Sequence, residues 1–256
     1  MDILKNVAAV IRTWSNNEHI QSSVHRALEA GIGQVIVIVK DEDPKLYGAV
    51  ERRLADEISM FPERLHIITM RIGYGWSKAL NVALEDIRQL NEFAKGEGKP
   101  LVEFVLNVSN EVLYTRQHVE ALLAPFIENG DPDMVRYNAV GTSFKAETKD
   151  GVAVKLGSTY RLPRNTMMMI RFEATLRLGG FSIQCDDLGG MEDFEWLSRS
   201  SAFDYGWKML DLQVPLLVGV NHNQEEKERR EREAIRRIAR HQAKLMMQLT
   251  HDLPEI

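Results

Sequence analysis

The first 140 residues alternate short runs of β-branched and other apolar residues with longer segments whose apolar residues recur at helical spacing. This alternation predicts a mostly parallel sheet with helices on both faces, because parallel neighbours need long crossover connections. The predicted strands are 7–11, 35–39, 65–70, 101–106 and 134–137, and the predicted helices are 18–31, 44–60, 76–95 and 115–129.

Ligands bind beyond the carboxyl ends of the strands in sheets of this kind, so we expect functional residues directly after each strand. The segments that follow the first four predicted strands are 12–16, 40–43, 71–78 and 107–111.

Composition and charge narrow the range of functions. With 256 residues, 44% of them hydrophobic, the chain can form one sizeable domain with a core of its own. A net charge of -5 supplies no general attraction to nucleic acid, so we expect no nucleic-acid partner. Cys185 is the single cysteine, which excludes an intrachain disulfide and suits a reducing compartment. The start of the chain lacks a signal-peptide pattern, and we expect a cytoplasmic protein.

Two glycine pairs and two adjacent carboxylates stand close together in the second half of the chain. The pairs are 179–180 and 189–190, and the second leads into Glu192-Asp193 and then an apolar, helix-compatible stretch. Glycines permit tight turns near a ligand, and a carboxylate held beside such a loop can take a proton from a bound hydroxyl. The structural alternative is that the two acids only complement the dipole of the helix that begins there.

A basic segment covers 151–171. It contains Lys155, Arg161, Arg164 and Arg171 and no Asp or Glu. One interpretation is a solvated strand edge whose cations deter aggregation. The other is a basic wall that faces a phosphate or diphosphate.

The C-terminal segment 223–256 is dense in charges of both signs and carries apolar residues at helical spacing. It predicts an amphipathic helix appended to a domain over 1–222. The helix would pack on its own domain or on a second subunit of a homodimer. Alternatively, its arginines would contact an anionic membrane, which would place the protein at the inner face.

In this order the motifs resemble those of the GT-A glycosyltransferases of the large family 2, over about residues 7–222. Arg-Thr-Trp-Ser at 12–15 stands where family members have Pro-Thr-Tyr-Asn. Asp41 is the first acid at the position where family members carry paired aspartates. The segment 73–81 lies at the position where family members have Asn-x-Gly followed by Ala-x-Asn. Gly-Gly-Phe at 179–181 and the Glu192-Asp193 pair match closely. Three further family positions follow in order: Gly206, Pro215 and His222.

The resemblance implies a GT-A, Rossmann-like fold and an inverting, hexosyltransferase-type enzyme that uses a nucleotide sugar. Donors linked to UDP are favoured over those linked to GDP, and the acceptor would be a hydroxyl in glycan or polysaccharide synthesis. Asp193 would be the general base, and Glu192 would orient the acceptor or support the base. The donor-binding positions would be Thr13, Trp14, Asp41, Gly75, Lys78, Asn107 and Ser109.

The chain departs from the family at the metal-binding motif. Asn107 and Ser109 stand where the fourth strand normally ends in Asp-x-Asp, which holds Mg²⁺ or Mn²⁺. Hard divalent cations depend on carboxylate charge, so the substitution predicts weak or absent metal binding. Glu111 and His222 are the candidates for a residual metal site. Without a metal, fixed cations would stabilise the diphosphate, and the candidates are Lys78, Arg71, Arg161, Arg164 and Arg171.

Two other functions remain open. The domain could be a degenerate GT-A fold that binds a nucleotide or a partner protein and catalyses nothing, which the lost Asp-x-Asp motif favours. It could also be a metal-dependent transferase that relies on Glu111 and His222.

Overall fold

The computed structural model describes residues 2–14, 19–41, 48–71, 75–110, 112–127, 137–147, 153–156, 167–187, 192–203, 206–211 and 216–218. The strands within these ranges are β1 Val7–Trp14, β2 Gln34–Asp41, β3 Leu65–Arg71, β4 Phe104–Ser109, β5 Val112–Leu113, β6 Tyr137–Glu147, β7 Ala153–Leu156, β8 Met167–Arg171, β9 Gly206–Asp211 and β10 Leu216–Val218. The α-helices are α1 Ile20–Glu29, α2 Ala49–Arg53, α3 Ala55–Met60, α4 Trp76–Glu97, α5 Arg116–Ile127, α6 Phe172–Arg177, α7 Gln184–Asp187 and α8 Glu192–Phe203.

The predicted sheet is confirmed. Its strand order begins β3-β2-β1-β4, and these four strands are parallel to one another. The next strand, β8, is antiparallel to both β4 and β6. The first part of β6 also pairs with β9 in parallel, and its second part pairs with β7 and β10. The carboxyl ends of β1, β2 and β4 therefore lie together at one edge of the sheet.

Helices cover both faces of this sheet, as the sequence predicted. Alternate residues of each strand point to opposite faces, which divides the core into two layers. One layer joins Val7, Ala9 and Ile11 of β1 to apolar residues of α1, α2, α3 and α5. The other joins Ala8 and Val10 to apolar residues of α4, α6 and α8. The methionines of β8 fill both layers and are at most 1% exposed.

Several boundaries differ from the sequence prediction. Strand β4 begins at Phe104 and not at position 101, where Leu101 is exposed, and it extends to Ser109. Strands β1 and β2 continue to Trp14 and Asp41, because parallel pairing persists beyond the last apolar residue of each run. The predicted helix 44–60 is interrupted at Leu54, and its first residues lie outside the described ranges.

Two further predictions concern segments that the structure describes only in part or not at all. Of the predicted strand 134–137 only Tyr137 is described, and it opens the longer β6. The C-terminal helix predicted for 223–256 lies outside the described residues. Within the described ranges, no helix combines the length and the apolar character needed to cross a lipid bilayer.

Candidate functional site

The carboxyl-terminal edge of β1, β2 and β4 carries a row of polar side chains on the face covered by α4 and α8. Arg12 of β1 pairs in register with Ile38 of β2 and with Ser109 of β4. Asn107 pairs with Val10, a residue of the same core layer. Register partners on neighbouring strands point to the same face, so Arg12, Asn107 and Ser109 share one face. Because β4 extends to Ser109, the two replacements of the acidic motif lie inside the strand.

Arg12 joins the sheet to the start of α8. Its Nη1 donates to Oε1 of Glu192 at 3.0 Å, and the two side chains are only 13% and 8% exposed. The Arg12 guanidinium carbon also lies 5.3 Å from the centre of the Trp76 ring, and Lys40 Nζ lies 5.2 Å from the same ring. We call Arg12, Lys40 and Trp76 the cation cluster. Its two charges come from neighbouring strands and its ring from the first residue of α4.

Glu192 and Asp193 are the first two residues of α8, and both are 6% exposed. Asp193 Oδ1 accepts a hydrogen bond from the backbone N–H of Phe194 at 2.8 Å. Acids in a first helical turn are stabilised by the free N–H groups and the dipole there. The helix itself is anchored by Trp196, which is fully buried in the core layer beneath it. The packing of Trp196 thus holds Glu192 and Asp193 at the carboxyl ends of the strands.

The first glycine pair ends α6. Gly179 and Gly180 both have positive φ, at 76° and 75°. Their N–H groups donate hydrogen bonds to the carbonyls of Leu176 and Thr175, respectively. Asn81 then clamps the following residue: its Nδ2 donates to the carbonyl of Phe181 and its Oδ1 accepts from the Phe181 N–H, both at 2.8 Å.

Arg199 of α8 secures the same turn. Its guanidinium donates to the carbonyls of Leu178 and Gly180 and forms two hydrogen bonds with Glu195. The turn therefore fixes the relation of α4, α6 and α8. The second glycine pair, 189–190, lies outside the described residues.

Asp186 occupies the amino end of α4. Its Oδ1 accepts from the Ser77 N–H at 2.8 Å and its Oδ2 from the Lys78 N–H at 3.1 Å. A Cβ on Gly75 would lie 1.8 Å from the Asp186 carboxyl carbon, so only glycine leaves room for this cap. Asp186 carries no local sequence signal for this role, because its partners lie more than 100 positions earlier in the chain.

The site residues predicted from the resemblance differ in burial and in how much of them the structure describes. Thr13 is completely buried, on the face that α1 covers, while the Lys78 side chain is exposed. Trp14, Asp41 and Arg71 are described by their backbone and end their strands at this edge. Four predicted residues lie outside the described ranges: Glu111, Arg161, Arg164 and His222.

The placement of Arg171 with the diphosphate is wrong. Arg171 pairs with Phe104 at the opposite end of β4 from Ser109. Its guanidinium packs against the rings of Phe104 and Phe126 and donates to the carbonyls of Tyr137 and Phe126. Burial lowers the pKa of Arg171 below its ordinary value. The residue is half-buried and lies at the end of the strands opposite to Ser109.

Cys185 directly precedes Asp186 in α7 and is 1% exposed. Burial raises the pKa of the Cys185 thiol to about 12, and the nearby carboxylates of Glu195, Glu192 and Asp186 act in the same direction. The thiol is therefore protonated at neutral pH.

The described side chains at this edge do not fit a divalent cation. Asn107 and Ser109 offer neutral oxygens, and Ser109 stands in register with a cationic residue, Arg12. The carboxylate of Glu192 is already paired with the guanidinium of Arg12. In the part of the chain that the structure describes, no group of three His, Cys, Asp or Glu residues could hold a metal ion. Mg²⁺ and Mn²⁺ depend on oxygen ligands with carboxylate charge, which Asn107 and Ser109 lack.

No protein-family model matches the sequence, and no curated protein matches it. Solved structures do. A mannosyltransferase from Pyrobaculum calidifontis, PcManGT, crystallised with GDP-Man and Mn²⁺, superimposes with a TM-score of 0.62 at 17% identity over 92% of this chain and 63% of that one. TarS from S. aureus gives a TM-score of 0.52 at 13% identity over 84% of this chain and 36% of that one.

Glucosyl-3-phosphoglycerate synthase from Mycobacterium tuberculosis gives a TM-score of 0.51 at 11% identity, over 91% of this chain and 78% of that one. This chain thus spans less than two thirds of the length of PcManGT and about a third of the length of TarS. The likeness confirms that the chain has the GT-A fold predicted from its motifs.

Proposed function

We propose that the chain is an inverting glycosyltransferase that moves a sugar from a UDP- or GDP-linked donor to an acceptor hydroxyl. The fold is that of nucleotide-sugar transferases, one of them crystallised with GDP-Man. The observation that carries the proposal is the buried Glu192-Asp193 pair at the strand edge where ligands of such sheets bind. The resemblance to family 2 supports a glycan or polysaccharide acceptor, and the neutral Asn107 and Ser109 support a weak metal dependence.

In this reaction the acceptor oxygen forms a bond to the anomeric carbon while the bond from that carbon to the diphosphate oxygen breaks. The acceptor proton passes to Asp193, and the electron pair of the broken bond stays on the departing nucleoside diphosphate. Attack from the side opposite to the leaving group inverts the anomeric centre. Glu192 acts as a positioning residue, because its carboxylate is bound to Arg12 and thereby ties α8 to β1.

The test is transfer by the purified chain with UDP- and GDP-linked sugars, compared between wild type and Asp193→Asn. A general base contributes about 10²- to 10⁴-fold, so Asp193→Asn should lower kcat by at least about a hundredfold while donor binding is retained. Glu173→Gln is the matched control, since Glu173 is an exposed acid in the first turn of α6. Unchanged transfer by Asp193→Asn would refute the assignment of the base.

A non-catalytic, nucleotide-binding domain is the second candidate, and the neutral Asn107 and Ser109 favour it. It predicts that a nucleotide sugar binds but is neither transferred to any hydroxyl acceptor nor hydrolysed. Release of free sugar with inverted configuration by wild type, and not by Asp193→Asn, would exclude this candidate even before the acceptor is known.

A further inference from the structure

We infer that Asp186 is a positioning residue for the general base: by capping α4, it holds the chain that leads into Asp193 in a fixed place. The inference rests on the proposed function and adds to its site a residue whose carboxylate is engaged by the backbone of α4. The starting observation is that α4 binds both ends of the segment 181–186.

Helix α4 holds this segment at two points. At one end, Asn81 forms two hydrogen bonds with the backbone of Phe181, both at 2.8 Å. At the other end, the Asp186 carboxylate accepts from the N–H groups of Ser77 and Lys78, at 2.8 and 3.1 Å. Asn81 stands four positions after Ser77, so the two attachments are about one helical turn apart. The segment between them is therefore short and fixed at both ends.

The cap fixes Asp186 in distance and in direction. Its two oxygens meet successive N–H groups at the amino end of a 22-residue helix, where the unpaired N–H groups and the helix dipole favour a carboxylate. Gly75 makes the close approach possible, because a Cβ there would lie 1.8 Å from the carboxyl carbon of Asp186. The preceding residue, Cys185, is itself buried. The carboxyl group of Asp186 thus fits in one narrow position.

Helix α7 lies against α8 as well as against α4. The ring of Phe181, at the other end of the segment, lies 6.1 Å from the ring of Trp196 in α8, measured between centroids. Two attachments therefore precede Asp193 in the chain. The cap joins the chain before α8 to α4, and the Arg12–Glu192 pair joins the first residue of α8 to β1.

Loss of the cap should move α7 and leave α4 in place. Helix α4 retains its own backbone hydrogen bonds and its buried residues, such as Leu80 and Ile87, whereas α7 comprises only four residues. A displacement of about 1 Å at a catalytic group can lower a rate about a hundredfold. Because the inferred role concerns the base, the loss should appear in kcat and not in nucleotide binding.

Three substitutions of Asp186 separate its position from its charge. Asp186→Asn keeps an acceptor oxygen at the same place without the charge. Asp186→Glu keeps the charge on a longer side chain that does not fit beside Gly75, and Asp186→Ala removes the cap. The assays are the release of free sugar from UDP-glucose and GDP-mannose at several pH values, which needs no acceptor, and calorimetric binding of UDP and GDP. Asp2→Ala is the matched control, because Asp2 caps a helix that precedes β1, at the end of that strand opposite to the site.

We expect Asp186→Ala and Asp186→Glu to lower kcat at least about tenfold while nucleotide binding stays within about threefold of wild type. Asp186→Asn should keep kcat within about threefold and leave its pH profile unchanged, since asparagine caps helices about as well as aspartate. Asp2→Ala should leave kcat unchanged. If Asp186→Ala does not fold, the comparison of Asp186→Asn with Asp186→Glu decides.

Three results would overturn the inference and leave the transferase proposal standing. They are a kcat of wild-type size in Asp186→Glu, a loss in Asp186→Asn as large as in Asp186→Glu, and a parallel loss of nucleotide binding. The second of these would mean that the charge of the carboxylate, and not its position, is what the reaction needs. If wild type releases sugar from neither donor, the proposed function fails, and the inference fails with it.

Discussion

The Arg12–Glu192 ion pair should be a large and asymmetric contributor to stability. Its atoms are 3.0 Å apart and its side chains are 13% and 8% exposed, so neither charge is well hydrated. Removing one member of a buried pair costs about 3–5 kcal/mol, because the other charge stays buried without compensation. In Arg12→Met the Glu192 carboxylate loses this cation but keeps its favourable interaction with the dipole of α8, which is worth about 0.3–1 kcal/mol. We therefore expect Arg12→Met to lower the free energy of unfolding by about 2–4 kcal/mol.

The opposite substitution should cost less. In Glu192→Gln the guanidinium of Arg12 keeps its contact with the Trp76 ring, and the glutamine carbonyl can still accept its hydrogen bond. A partly desolvated cation–π contact contributes about 0.5–2 kcal/mol, so we expect Glu192→Gln to cost only about 1–2 kcal/mol. The double variant should be no less stable than Arg12→Met alone, since it removes the buried carboxylate together with the cation that balances it.

Urea unfolding followed by far-UV circular dichroism and tryptophan fluorescence measures these differences. Arg88→Met is the control, because Arg88 pairs with Glu85 at 2.7 Å with both side chains about half exposed. Exposed pairs of this kind stay hydrated and contribute little to stability. A loss for Arg12→Met no larger than for Arg88→Met would refute the reasoning. So would a double variant in which the two single losses simply add.

Two further predictions concern the turn and the thiol beside the site. Gly180→Ala should destabilise by about 1–3 kcal/mol more than Gly179→Ala, because the two glycines share the same positive φ but only a Cβ at 180 would meet Asn81 Oδ1, at 2.5 Å. Equal losses in urea unfolding would contradict this. Cys185 should react with iodoacetamide at pH 8 on the order of a hundredfold more slowly in the native protein than in urea, since burial and a pKa of about 12 suppress its thiolate. Mass spectrometry counts the single adduct, and similar rates would show that α7 opens freely.

The fold could be predicted because its signal is local. Runs of buried residues such as those in β1 and β2 reveal strands, and periodic apolar residues reveal α1 and α4. Strand ends could not be predicted as well. Arg12 and Thr13 near the end of β1 and the last residues of β2 and β4 are polar, and they belong to strands only because a neighbouring strand continues to pair with them. This shift moved Asn107 and Ser109 from a predicted loop into the sheet.

The contacts that organise the site were beyond sequence reasoning. Glu192 binds a residue 180 positions away, and Asp186 caps a helix that begins more than 100 positions earlier. Neither partner carries a local signal, because any cation could face a carboxylate and any polar residue could cap a helix. The motif order did single out the Glu192-Asp193 pair and the segment 73–81, although it could not show that Asn81 clamps the Gly-Gly-Phe turn.

The departures from the family's motifs are coupled through the sheet. Arg12 stands at the first position of the motif that ends β1, and Ser109 stands beside it at the second position of the altered acidic motif. A metal site needs carboxylates where the chain has neutral side chains, and a guanidinium beside such carboxylates would repel the metal and bind its ligands. An arginine at 12 and the loss of acids at 107 and 109 are therefore electrostatically consistent with each other.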